Sequence, residues 1–115
     1  MGLDLYLSTP ISCPHCGKPI AGDDERWWRN ITHNVSPMWK LAGVYDALYE
    51  SEGLIAKEVL STLQEGVARM VLNPEEYKKL NPTNGWGCYE SALEFLIDFQ
   101  SAIVNNPDTM IHVSR

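Results

Sequence analysis

Ser36-Pro37-Met38-Trp39-Lys40-Leu41-Ala42-Gly43-Val44-Tyr45-Asp46-Ala47-Leu48-Tyr49 is where the chain changes its period. Serine followed by proline is a good helix start, because the hydroxyl caps an orphan amide and proline's fixed φ suits the first turn. Met38, Leu41, Ala42, Tyr45, Leu48 and Tyr49 then recur three and four residues apart, the stripe of an amphipathic helix. Upstream the period is two: Leu3, Leu5 and Leu7 alternate with Asp4, Tyr6 and Ser8, as in a half-buried strand. The switch from one period to the other predicts an α+β fold.

Reading outward, Thr9-Pro10 ends the first strand and the Pro/Gly-rich stretch 11–24 reads as a loop. Glu25 to Ile31 reads as a second short strand. After the break at Gly53, a second helix carries Ile55, Val59, Leu60, Leu63, Val67, Met70 and Val71 on one face. Asn73-Pro74-Glu75-Glu76 resembles a capping box and predicts a short helix ending near Leu80. Asn81 to Gly87 is turn-rich. A third long helix, Tyr89 to Val104, is expected to bury Tyr89, Leu93, Leu96, Ile97, Phe99 and Ile103, and Met110 to Val113 reads as the last strand. The expected architecture is a small antiparallel sheet from N-terminal, middle and C-terminal strands, with three long helices packed on one face. At 115 residues, residues 1–115 are expected to form one domain, and 44% hydrophobic with 21% charged residues is an ordinary globular balance.

The formal net charge of −6 argues against a diffuse positive field for long nucleic acid or an anionic membrane. A small anion is still compatible, because helix N-termini bind phosphates through backbone amides. Met1 to Ser8 has no signal-peptide character, and the apolar runs are too short to span a bilayer. The expected compartment is the cytoplasm, with the three cysteines reduced.

Cys13-Pro14-His15-Cys16-Gly17 has the form of half a zinc knuckle. No second C-x-x-C completes it, so zinc at Cys13 and Cys16 needs two more ligands from Cys88, His33, His112 or His15 (the last a poor geometric choice inside the knuckle), or from a second chain in a homo-oligomer. A reduced turn with two small apolar thiols is the alternative.

Two polar loops open helices. The first is Trp27-Trp28-Arg29-Asn30-Ile31-Thr32-His33-Asn34; the second is Asn81-Pro82-Thr83-Asn84-Gly85-Trp86-Gly87-Cys88-Tyr89-Glu90. Each combines amides, a hydroxyl and indole with the free N–H groups of a helix start. Those are the parts that hold a flat polar ligand: indole faces stack, amides pair ring edges and the helix end receives negative charge. Loops and caps use the same residue types for purely structural ends. His33 as a base with Cys88 as a nucleophile is the catalytic alternative. No spacing favours a carboxylate pair.

At Asn30-Ile31-Thr32-His33-Asn34 and Asn84-Gly85-Trp86-Gly87-Cys88-Tyr89-Glu90 the chain resembles a family of small bacterial and phage proteins of unassigned activity, over most of its length. In size, acidity and lack of a catalytic constellation it is also similar, more loosely, to phage proteins that sequester nucleotide immune signals. The expected function is a non-catalytic, nucleotide-like small-ligand binder of the anti-defence sponge type. Its site residues would be Trp28, Asn30, Thr32, His33, Asn34, Asn84, Trp86 and Tyr89. The alternatives are a Cys/His or zinc-assisted hydrolase, and a protein-interaction or inhibitor domain acting through Trp27, Trp28 and Trp39.

Overall fold

The computed structural model of the chain describes residues 2–12, 19–83, 85 and 87–115, and the side chains of these residues outside 10–25. The elements run β1 (Gly2–Ser12), β2 (Pro19–Thr32), α1 (Ser36–Ala42), α2 (Tyr45–Tyr49), α3 (Leu60–Leu72), α4 (Pro74–Lys78), α5 (Tyr89–Asn105) and β3 (Met110–Ser114), with short 3-10 turns before α1 and α3. The strands form an antiparallel sheet in the order β2-β1-β3, so the chain ends are neighbours and β1 is central. The fold is α+β, as the change of period predicts.

Successive residues of a strand point to opposite faces. Leu3, Leu5 and Leu7 are therefore all fully buried against the helices, together with Ile31 from β2 and Ile111 from β3. Each such leucine contributes on the order of 1.5–3 kcal/mol by leaving water. Trp27 joins this side, stacked on Phe99 of α5 at 5.1 Å and edge-on to Phe95 at 6.2 Å. The Arg29–Asp98 ion pair, 3.0 Å, ties β2 to α5 at the rim. Trp39 sits at the centre of the core with no exposure, 5.6 Å from Phe95.

The outer edge of β3 is covered. The Gly53 amide donates to Ile111 O and the Ile111 amide donates to Leu54 O, both at 2.9 Å, and Ile55 bridges Met110. This extends the pairing without a named strand and occupies backbone groups that would otherwise invite another chain.

Several expectations are corrected. The helix read from Ser36 to Tyr49 is two, because Gly43 takes φ +80° and ends α1 in a left-handed cap. Arg69 closes that end by donating to Ala42 O at 2.6 Å. Ser36 is the first residue of α1, preceded by a 3-10 turn capped by Thr32, whose Oγ1 accepts from the Asn34 amide. The helix expected from Ile55 begins as a 3-10 turn, where Glu58 accepts from the Ile55 amide at 2.8 Å, and becomes α-helical at Leu60. Asn73 caps nothing with its side chain; its Nδ2 donates back to Arg69 O at 3.2 Å.

β1 and β2 run well past Thr9 and before Glu25, with Pro10 opposite Asp23 and Ser12 opposite Pro19. Register shifts at Leu7/Ser8 and Pro10/Ser12 accommodate this, as bulges let a ladder pass a proline. Leu41, Val71 and Ile97, read as core, are 51%, 53% and 45% exposed. Each stands at the margin of its helix's buried stripe, next in sequence to a fully buried neighbour, Ala42, Met70 and Leu96 respectively. No helix among the described residues is long and apolar enough to cross a membrane.

Candidate functional site

Because Ile31 faces the core, the pleat sends Trp28, Asn30 and Thr32 to the opposite face of β2. Trp28 is 55% exposed there while its neighbour Trp27 packs inside. The register places Tyr6 opposite Trp28, Asp4 opposite Asn30 and Gly2 opposite Thr32. Asn30 Nδ2 donates to Asp4 Oδ1 at 2.9 Å and to Leu3 O at 3.3 Å. This open face is thus an indole followed by an amide–carboxylate pair and a threonine, in one line along an outer strand.

The line continues across the sheet through Tyr6, which sequence reasoning did not single out, and His112, which it considered only as a zinc ligand. Tyr6 also pairs with His112 of β3, and their rings stack at 4.7 Å and 15°. One aromatic ring from each of the three strands therefore stands at the same level of the open face. His112 Nε2 lies 2.7 Å from Ser8 Oγ and its Nδ1 lies 3.4 Å from Glu52. The order resembles a nucleophile, base and orienting acid. Ser8 is only 1% exposed, so its hydroxyl cannot meet a substrate, and the contact serves to tie β3 to β1.

The second loop meets the first. Gly87 has φ +94°, and a Cβ there would fall 2.8 Å from both Thr32 Cγ2 and Val35 Cγ1. Only glycine permits both the backbone and that close approach. Gly87 and Thr32, more than fifty positions apart in the chain, bring the two loops together at the end of the open face.

The remaining predicted residues divide. His33 Nδ1 is 2.9 Å from the Tyr49 hydroxyl. Tyr49 is 4% exposed, and burial pushes its hydroxyl up to about 12, with Tyr45 adding to the shift and Arg115 opposing it. The phenol therefore stays protonated at neutral pH, and its hydrogen bond with His33 can run in either direction according to the imidazole tautomer. Asn34 is exposed beside it. Tyr89 is 7% exposed; its hydroxyl donates to Met70 O at 2.6 Å and its amide to Asn81 Oδ1 at 2.8 Å, so it joins α5 to α3 from inside. Asn84 and Trp86, and the Cys13/Cys16 knuckle, lie outside the described residues.

Cys88 Sγ is 3.2 Å from Ser91 Oγ, and His33 rests on Tyr49, so no hydrogen bond joins this cysteine to this histidine. Among the described residues no group of three or more metal-ligating side chains comes together. A shallow groove of about 480 Å³ lies on the helical side, bordered by Asp46, Glu50, Leu54, Val59 and Thr62, and none of the predicted site residues lines it. No protein-family model, curated protein or solved structure matches the chain.

Proposed function

We propose that this chain is a non-catalytic binding module for a small, flat, polar ligand of the nucleotide type, which it holds rather than converts. The observation that carries the reading is the line Trp28, Asn30, Thr32 on the open face of β2, met at its end by Gly87 of the second loop. An exposed indole supplies a stacking surface worth about 1–3 kcal/mol to a base, largely irrespective of its identity. The amide, carboxylate and hydroxyl beside it supply edge contacts, and Asn34 is exposed further along. The chain would work as a cytoplasmic sponge, alone or as a homo-oligomer, with zinc at Cys13 and Cys16 as an optional structural addition. The hydrolase alternative is disfavoured by the separate partners of His33 and Cys88 and by the burial of Ser8. The protein-interaction alternative draws on one specific feature, since a single exposed tryptophan is also what anchors a partner surface.

The test is native mass spectrometry of untagged wild-type protein and of Trp28→Ala, each checked by circular dichroism for an unchanged fold. The reading expects a nucleotide-sized mass on the wild type, released intact by denaturation and missing from the variant. A bare wild-type polypeptide that takes up no added nucleotide would overturn it, and a chemically altered ligand after incubation would move the protein to the enzymes.

A further inference from the structure

The orientation of the Asn30 amide is set by its surroundings. Its Nδ2 faces Leu3 O and Asp4 Oδ1, and both of those atoms can only accept. Turning the amide over would place its oxygen against two acceptors, so the nitrogen must be inward. Both Nδ2 protons are then engaged. What the Asp4–Asn30 pair itself leaves for a ligand beside the Trp28 ring is the Asn30 carbonyl oxygen and the second Asp4 oxygen; the Tyr6 and Thr32 hydroxyls on the same face can either donate or accept. The two oxygens of the pair offer acceptors alone. Exposure agrees with availability, since Asn30 is exposed and Asp4 partly so.

A ligand that stacks on the indole and engages this edge must bring adjacent donors. Bases differ in that respect: guanine presents a ring N–H and an amino group side by side, whereas adenine, cytosine and uracil interleave donors with acceptors on the same edge. A free acceptor facing a ligand acceptor would lose its hydrogen bonds to water without replacement, which makes the edge selective against them. The net charge of −6 further favours a ligand with few phosphates.

Resting on the binding reading above, we infer that the Asp4–Asn30 pair beside Trp28 reads a planar group with two adjacent N–H donors, the edge of a guanine base. The same chemistry is carried by an alkylguanidinium, so L-arginine is its second source.

The experiment is isothermal titration of wild type, Asp4→Asn and Trp28→Ala with guanosine, adenosine, cytidine, uridine and L-arginine. Guanosine is expected to bind about tenfold tighter than the other nucleosides, the low end of what a two-bond contact to a base edge gives. Asp4→Asn is expected to abolish that preference while retaining weak binding of every base, and Trp28→Ala to abolish binding of all of them. L-Arginine binding that depends on Asp4, with guanosine ignored, would support the donor-pair chemistry and assign it to the guanidinium source. Equal binding of all four bases, untouched by Asp4→Asn, overturns this inference and leaves the flat-ring reading standing. No binding of any nucleoside or of arginine by the wild type overturns both.

Discussion

Gly87→Ala against Gly85→Ala isolates the contact on which the convergence of the two loops depends. Both glycines have positive φ, +94° and +77°, so both substitutions carry the left-handed backbone strain, about 1–2 kcal/mol. Both also recover about 0.4–1 kcal/mol by stiffening the unfolded chain. They differ in space: a Cβ at Gly85 meets nothing within 4 Å, whereas one at Gly87 meets Thr32 Cγ2 and Val35 Cγ1 at 2.8 Å. Relieving that overlap costs about 1–3 kcal/mol more. Gly85→Ala is therefore expected to lose about 1 kcal/mol and Gly87→Ala about 2–4 kcal/mol. At this chain length the larger loss lowers Tm by roughly 10 °C. Urea denaturation followed by circular dichroism gives both values. Thr32→Ser removes the clashing methyl but keeps the hydroxyl that caps the Asn34 amide, so adding it to Gly87→Ala should return part of the loss. A Gly87→Ala loss no greater than that of Gly85→Ala, with no recovery from Thr32→Ser, would refute the contact.

Two further outcomes follow from buried hydroxyls. Tyr49 is raised from 10.0 to about 12 in the folded state, so the unfolded chain releases its proton first. Its contribution is fully present below pH 10 and is lost as pH rises towards 12, a fall of roughly 2–3 kcal/mol across that window. Tyr49→Phe should flatten this part of the stability–pH curve, read by denaturant titration at several alkaline pH values, and an unchanged slope would place the phenol in water. Tyr89→Phe removes the donor to Met70 O and should cost about 1–2 kcal/mol in the same assay while leaving ligand binding unaffected. Lost binding at unchanged stability would put Tyr89 back in the site.

What the sequence made legible follows from how local each signal is. The Leu3, Leu5, Leu7 alternation and the helical spacing from Tyr89 need only neighbouring residues, and both elements form where the pattern places them. The break at Gly43 is also local, but the stripe runs on through it, and the Arg69 contact that closes α1 comes from a helix twenty-seven positions away. Leu41 and Ile97 obey the spacing of a buried face, and only the placement of the neighbouring elements decides that they are exposed. The site divides in the same way. Trp28, Asn30 and Thr32 could be put on one face by counting in twos from Trp28, opposite the face of Ile31. Tyr6, Asp4 and His112 could not be joined to them, because the register of β1 with β2 and with β3 sets those neighbours. Tyr89 belonged to a polar motif by position, yet its ring turns inward one residue into α5, where the helix rather than the loop governs its direction.

The contrast between adjacent tryptophans carries the functional argument furthest. Trp27 and Trp28 differ by one step of the pleat: one stacks on Phe99, while the other is left 55% exposed on the far side of the sheet. The core does not need Trp28, and a lone exposed apolar ring is common enough to require no explanation. What sets this ring apart is its company. It stands beside Tyr6, stacked in turn on His112, and beside an amide whose orientation leaves acceptors free. A surface built only for solubility has no reason to align a ring face with a one-sided hydrogen-bonding edge, whereas recognition of a flat ligand needs both at once. Because Trp28 lies outside the core, its truncation tests the proposed binding separately from folding, which substitution of Trp27 or Trp39 cannot do.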